Sequence, residues 1–70
     1  MAEKLAIMVN GERREAPAGL SVLDLLKHLG VDSSRVAVEL NRTIIHKTQW
    51  AATPVFDGAH LEIVQFVGGG

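Results

Sequence analysis

Residues able to do chemistry are scarce in this 70-residue chain, and the ones that stand apart lie at its end. Gly68, Gly69 and Gly70 directly follow the strand-forming run His60-Leu61-Glu62-Ile63-Val64-Gln65-Phe66-Val67. Glycine has no β-carbon, so a glycine thread enters slots too narrow for any other residue. Three extended residues reach roughly 10 Å beyond a folded body. The expected reactive group is therefore the terminal carboxylate of Gly70, carried on a side-chain-free thread. Chain ends are often frayed and rich in small residues for no functional reason. The glycines gain weight only as the other candidates fall away.

Those candidates fall away one by one. His28, His46 and His60 have no metal-ligand spacing, such as two on adjacent helical turns, so no metal site is expected. Ser33 and Ser34 follow Asp32, but no histidine is placed to complete a triad, and loop chemistry explains them. The chain has no cysteine, which excludes disulfides, thiolate zinc sites and any side-chain thiol. No glycine cluster precedes a helix with a Lys-Ser or Lys-Thr, so there is no phosphate loop. Trp50 reads as a core or loop-covering residue, and Arg13-Arg14 as a solvated face. A formal charge of −1 leaves no electrostatic footprint for nucleic acid. The longest apolar runs are too short to cross a bilayer, and Met1-Ala2-Glu3-Lys4 lacks the pattern of a secretory signal. A soluble, cytoplasmic domain is expected.

The elements that must carry the thread are well marked. Leu5, Ile7 and Val9 alternate with Ala6 and Met8, the period of a half-buried strand, and Asn10-Gly11 is a strong two-residue hairpin signal. The charged return strand, Glu12 to Ala16, suits a sheet edge, and Pro17-Ala18-Gly19 ends it. A helix is predicted from Ser21 to Leu29. Ser21 caps it, Val22, Leu25, Leu26 and Leu29 form its apolar stripe, and Gly30-Val31 stops it in a Schellman turn. Strands follow at Val36 to Leu40 and Thr43 to His46, then a loose helical turn over Lys47 to Ala52 carrying Trp50. Asp57-Gly58 turns the chain into the last strand. One helix packed across one face of a sheet makes an α+β domain. The last strand is expected to run parallel beside the first, in the middle of the sheet. Residues 1–67 form this domain and 68–70 a flexible tail.

On the last strand, Leu61, Ile63, Gln65 and Val67 point to one face and Glu62, Val64 and Phe66 to the other. Two arrangements are open for Val64 and Phe66. Either they form an exposed partner-binding patch beside Gly68 and Gly69, or the loop from Lys47 to Phe56 covers them.

Taken in order, these features resemble the ThiS family of ubiquitin-like β-grasp sulfur carriers. The residues that carry the resemblance are the opening strand with Asn10-Gly11, Val22-Leu23-Asp24-Leu25-Leu26, and Val36-Ala37-Val38-Glu39-Leu40-Asn41. Ile44-Ile45 with Trp50, Asp57-Gly58, and Glu62-Ile63-Val64-Gln65 ending in Gly69-Gly70 complete the set. The likeness covers essentially the whole chain. It departs from the family pattern at His46, Lys47 and Ala59-His60, none of which touches the tail.

The resemblance implies a β-grasp fold, with a mixed four- to five-stranded sheet and one main helix. It further implies a protein cosubstrate rather than an enzyme, monomeric when free. A ThiF-like adenylyltransferase would join the Gly70 carboxylate to AMP, using ATP and magnesium that belong to that partner; this chain would bind no cofactor itself. Sulfur relayed from a cysteine desulfurase would replace AMP as a thiocarboxylate and pass to a ThiG-like thiazole synthase for thiamin. Three alternatives share parts of the pattern: a molybdopterin synthase small subunit, a ubiquitin-like modifier, and an interaction domain with an inert tail.

Overall fold

A computed structural model describes residues 3–66. Five strands form a mixed sheet: β1 (Lys4–Val9), β2 (Glu12–Pro17), β3 (Val36–Leu40), β4 (Thr43–Ile45) and β5 (His60–Gln65). Their spatial order is β2-β1-β5-β3-β4, so the last strand in the chain is central and the charged return strand is an edge. β5 runs parallel to β1 and antiparallel to β3. The remaining neighbours are antiparallel.

The helix α1 (Val22–His28) forms for the reasons its sequence gives. The Ser21 hydroxyl accepts from the Asp24 N–H at 3.1 Å, satisfying one of the donors left free at a helix start. At the other end Gly30 takes a φ of +73°. The Val31 N–H returns to the Leu26 carbonyl at 3.0 Å and the Gly30 N–H to Lys27 at 3.1 Å, the two bonds of a Schellman motif. Ser21 and Leu29 are thus the caps rather than the first and last helical residues. Val22, Leu25 and Leu26 are fully buried, against Ile7, Val9, Val36, Val38 and Leu61 of the sheet and Trp50 and Val55 of the loop. Burying each of these aliphatic side chains contributes about 1.5–3 kcal/mol.

The loop after β4 belongs to the same layer as the helix. A 3₁₀ turn over Lys47–Ala52 buries Trp50, whose indole N–H donates to the Ile45 carbonyl at 2.9 Å. The Val22 N–H then donates to the Thr53 carbonyl at 2.8 Å, and the Val55 N–H to Leu20 at 3.0 Å. These bonds tie the loop to the start of α1. The polar stretch expected before β3 contains a second short 3₁₀ turn, Ser33–Arg35, capped by Asp32.

Candidate functional site

The site is the end of the molecule from which the chain leaves β5. The ladder joining β1 to β5 contains only two residue pairs, Met8 with His60 and Val9 with Leu61. Side chains extend it at both ends. Upstream, the Ala6 N–H donates to Asp57 Oδ1 at 2.8 Å while the Gly58 N–H donates to the Ala6 carbonyl at 2.8 Å. Downstream, the Asn10 N–H donates to the Leu61 carbonyl at 2.9 Å. The Asn10 side-chain amide then takes over where the backbone of β1 turns away: its Oδ1 accepts from the Ile63 N–H at 2.7 Å, and its Nδ2 donates to the Ile63 carbonyl at 3.0 Å. Asn10 has a φ of 51° and Gly11 of 81°, as a type I′ turn requires. The turn residue therefore also acts as one more rung of the sheet.

On the other side β5 is held by β3. Val36 pairs with Gln65, and one step further the Phe66 N–H donates to the Arg35 carbonyl at 2.7 Å. At the far end of β5, the Asn41 N–H donates to the His60 carbonyl at 2.7 Å and Asn41 Oδ1 accepts from the His60 N–H at 2.9 Å. Two asparagines thus grip the central strand, Asn10 at Ile63 and Asn41 at His60. Gly68, Gly69 and Gly70, with Val67 before them, lie outside the described residues. Phe66 is the last residue whose position is defined.

Val64 and Phe66 are 59% and 58% exposed. Of the two arrangements open from sequence, the loop does not cover them, because its buried residues Trp50 and Val55 pack with α1 on the other side of the sheet. Ile44, 66% exposed, joins them. It stands opposite Glu39, which stands opposite Glu62, and Ala37 stands opposite Val64, so all five share the open face. Phe66, Ala37 and Ile44 line one shallow groove at the edge of the sheet, with Ser33, Ser34 and His46 around it. Ile44 was not singled out by sequence reasoning. The signal was nevertheless present, since two consecutive isoleucines in a strand must point to opposite faces.

The other polar residues take structural roles. Asp32 accepts from the Ser34 hydroxyl at 2.6 Å and the Ser34 N–H at 3.0 Å. These two bonds hold its carboxyl below the usual range, helped by the nearby positive charges of Arg35 and Lys47. His28, His46 and His60 are exposed. Among the described residues no three His, Asp or Glu side chains gather into a metal-binding group. No helix among them is long and apolar enough to cross a membrane.

Comparison with known proteins agrees with this layout. The family model described as "ThiS family" matches residues 7–70. The chain is 48% identical over 66 residues to a thiazole synthase of Paramagnetospirillum magneticum, covering 94% of this chain and 20% of that protein. It spans about a fifth of the length of the thiazole synthases it matches. It is 30% identical to the sulfur carrier protein ThiS of Escherichia coli, over 94% of this chain and 100% of that one. A crystal structure of the thiamine biosynthesis protein ThiS from Geobacter metallireducens superposes with a TM-score of 0.79 at 36% identity, covering 94% of this chain and all of that one. With the ubiquitin-like sheet and helix in place and a match running through the terminal glycines, this chain belongs to the ThiS family.

Proposed function

We propose that this chain is a sulfur carrier for thiamin biosynthesis, with the Gly70 carboxylate as its reactive group. The observation that carries the proposal is the reach of the family match, which continues through residue 70 and so includes Gly68, Gly69 and Gly70. The name of the Escherichia coli relative, covered along its whole length, supports the same reading. The two thiazole synthase relatives support such an enzyme as the acceptor of the sulfur.

A terminal carboxylate has a pKa of about 3.3–3.7, so it is ionised at neutral pH and is a poor electrophile. Activation by an adenylyltransferase of the ThiF type overcomes this. The carboxylate attacks the α-phosphate of ATP, pyrophosphate leaves, and Gly70 becomes an acyl-adenylate. A persulfide derived from a cysteine desulfurase then displaces AMP. Reductive cleavage of the resulting S–S bond by a thiol leaves a thiocarboxylate, the nucleophile used in thiazole formation. ATP and magnesium belong to the activating enzyme.

The residues of this chain present the thread. Asn10 and Arg35 hold β5 on either side near its exit through bonds to Ile63 and Phe66. Val64 and Phe66 give the partner an apolar surface next to the exit. Gly69 and Gly70 pass through both partner active sites, where a side chain would obstruct them.

The test is pyrophosphate exchange into ATP by the host's ThiF-like adenylyltransferase. Exchange that requires this chain and disappears when Gly69 and Gly70 are deleted is the expected result. Exchange unaffected by the deletion would overturn the proposal.

A further inference from the structure

The open face of the sheet divides into two halves with different charge economies. On the β1–β2 half, the Lys4 ammonium lies 4.0 Å and the Arg13 guanidinium 3.7 Å from the Glu15 carboxylate, so both cations have an internal partner. On the β3–β5 half, Glu39 and Glu62 stand directly opposite one another. Among the described residues neither makes an ion pair. Like charges placed opposite each other across a strand pair work against the fold. This pair borders the apolar surface of Ile44, Val64 and Phe66, which continues to the exit of the chain from β5.

We infer that this half of the sheet is a docking surface for a protein partner that sets an arginine or lysine among apolar side chains. The partner's cation lies over the Glu39–Glu62 pair, and its apolar residues cover Ile44, Val64 and Phe66. The inference rests on the sulfur-carrier reading for the partner's identity, the activating adenylyltransferase, and adds the chemistry by which that partner is recognised. A guanidinium suits the site well, because its fork of donors can engage two carboxylates at once. A second copy of this chain is a poorer occupant. It would bring its own unpaired carboxylates to the patch, while its Lys4 and Arg13 are already matched to Glu15. Complementary charge around an apolar centre sets partner choice and encounter rate.

The experiment measures binding of the host's ThiF-like adenylyltransferase to the wild-type chain, to the Glu39→Gln/Glu62→Gln double variant, and to Phe66→Asp, at low and high salt. The double variant is expected to bind roughly tenfold more weakly at low salt and to lose most of the salt dependence. Its melting temperature should be equal to or above wild type, since removing facing like charges relieves the fold. Unchanged affinity and salt dependence in the double variant, with weakened binding by Phe66→Asp, would overturn the charge inference and leave the docking patch standing. Unchanged binding by both variants would overturn the patch as well. Sedimentation showing a wild-type dimer that Phe66→Asp disrupts would make a second copy the occupant and also overturn the inference.

Discussion

Replacing Asn10 tests how the exit of the chain is held. Asn10→Gly keeps the positive φ of the hairpin turn but removes both side-chain bonds to Ile63, at 2.7 Å and 3.0 Å. Each such bond contributes about 0.5–1.5 kcal/mol net, and both are reached by solvent, so the lower half of that range applies and the pair is worth about 1–2 kcal/mol. For a domain of this size that loss lowers the melting temperature by roughly 5–15 °C. Asn10→Ala should be worse by about 1–2 kcal/mol, because it also forces a β-carbon into the left-handed region.

The effect should also be local. Hydrogen exchange at the Ile63 amide, read by NMR, should accelerate by a factor of about 5–30 in Asn10→Gly, matching the lost stabilisation. Asn10→Asp keeps the acceptor for the Ile63 N–H but loses the donor to its carbonyl, and should fall between wild type and glycine. A melting temperature within about 2 °C of wild type for Asn10→Gly, with Ile63 exchange unchanged, would refute the claim that this amide serves as a rung of the sheet.

Phe66→Asp should weaken adenylyltransferase binding while leaving thermal unfolding nearly unchanged, because the side chain is more than half exposed; a collapse in melting temperature would contradict its place on the open face. Gly70→Val should abolish sulfur loading with the fold intact, and retained loading by mass spectrometry would contradict the need for a bare thread. Trp50→Phe leaves the Ile45 carbonyl without its indole donor and should cost about 1–3 kcal/mol by denaturant unfolding. Asp32 supplies a pH-dependent contribution. Its folded pKa is depressed by the Ser34 bonds, so the stabilisation is fully present above its ordinary value of 3.8 and is lost as pH falls through the lower folded value. Wild type and Asp32→Ala should therefore differ in melting temperature at neutral pH and converge in acid, and a constant difference would contradict the assignment.

Much of the fold was legible because its signals are local. Ser21 and Gly30 bound the helix from sequence, and the observed caps sit on those residues. The charged return strand lies at the sheet edge and the final strand beside the first, as its pattern required. Asn10 shows where such reading stops. Its turn propensity is a property of neighbouring residues, whereas its grip on Ile63 spans 53 positions and exists only once β5 has taken its place. Arg42 is similar: with a φ of 69° beside Asn41 at 50°, it takes a conformation that its own type does not announce. The side on which the Lys47–Phe56 loop packs was undecidable from composition. Trp50 and Val55 settle it by burying themselves with α1, and the isolated bridge between Ser21 and Pro54 fastens the loop there. That packing leaves Val64 and Phe66 in the open, while Gly68, Gly69 and Gly70 fall beyond the described residues.

The most direct test of the central claim is the intact mass of the chain after incubation with the host's adenylyltransferase, magnesium-ATP and a persulfide sulfur donor with a thiol reductant. A sulfur carrier gains the mass difference of one oxygen exchanged for sulfur, the change maps to Gly70, and it vanishes when ATP is left out. An unchanged mass, with the same enzyme active on an established carrier, would contradict the proposed function.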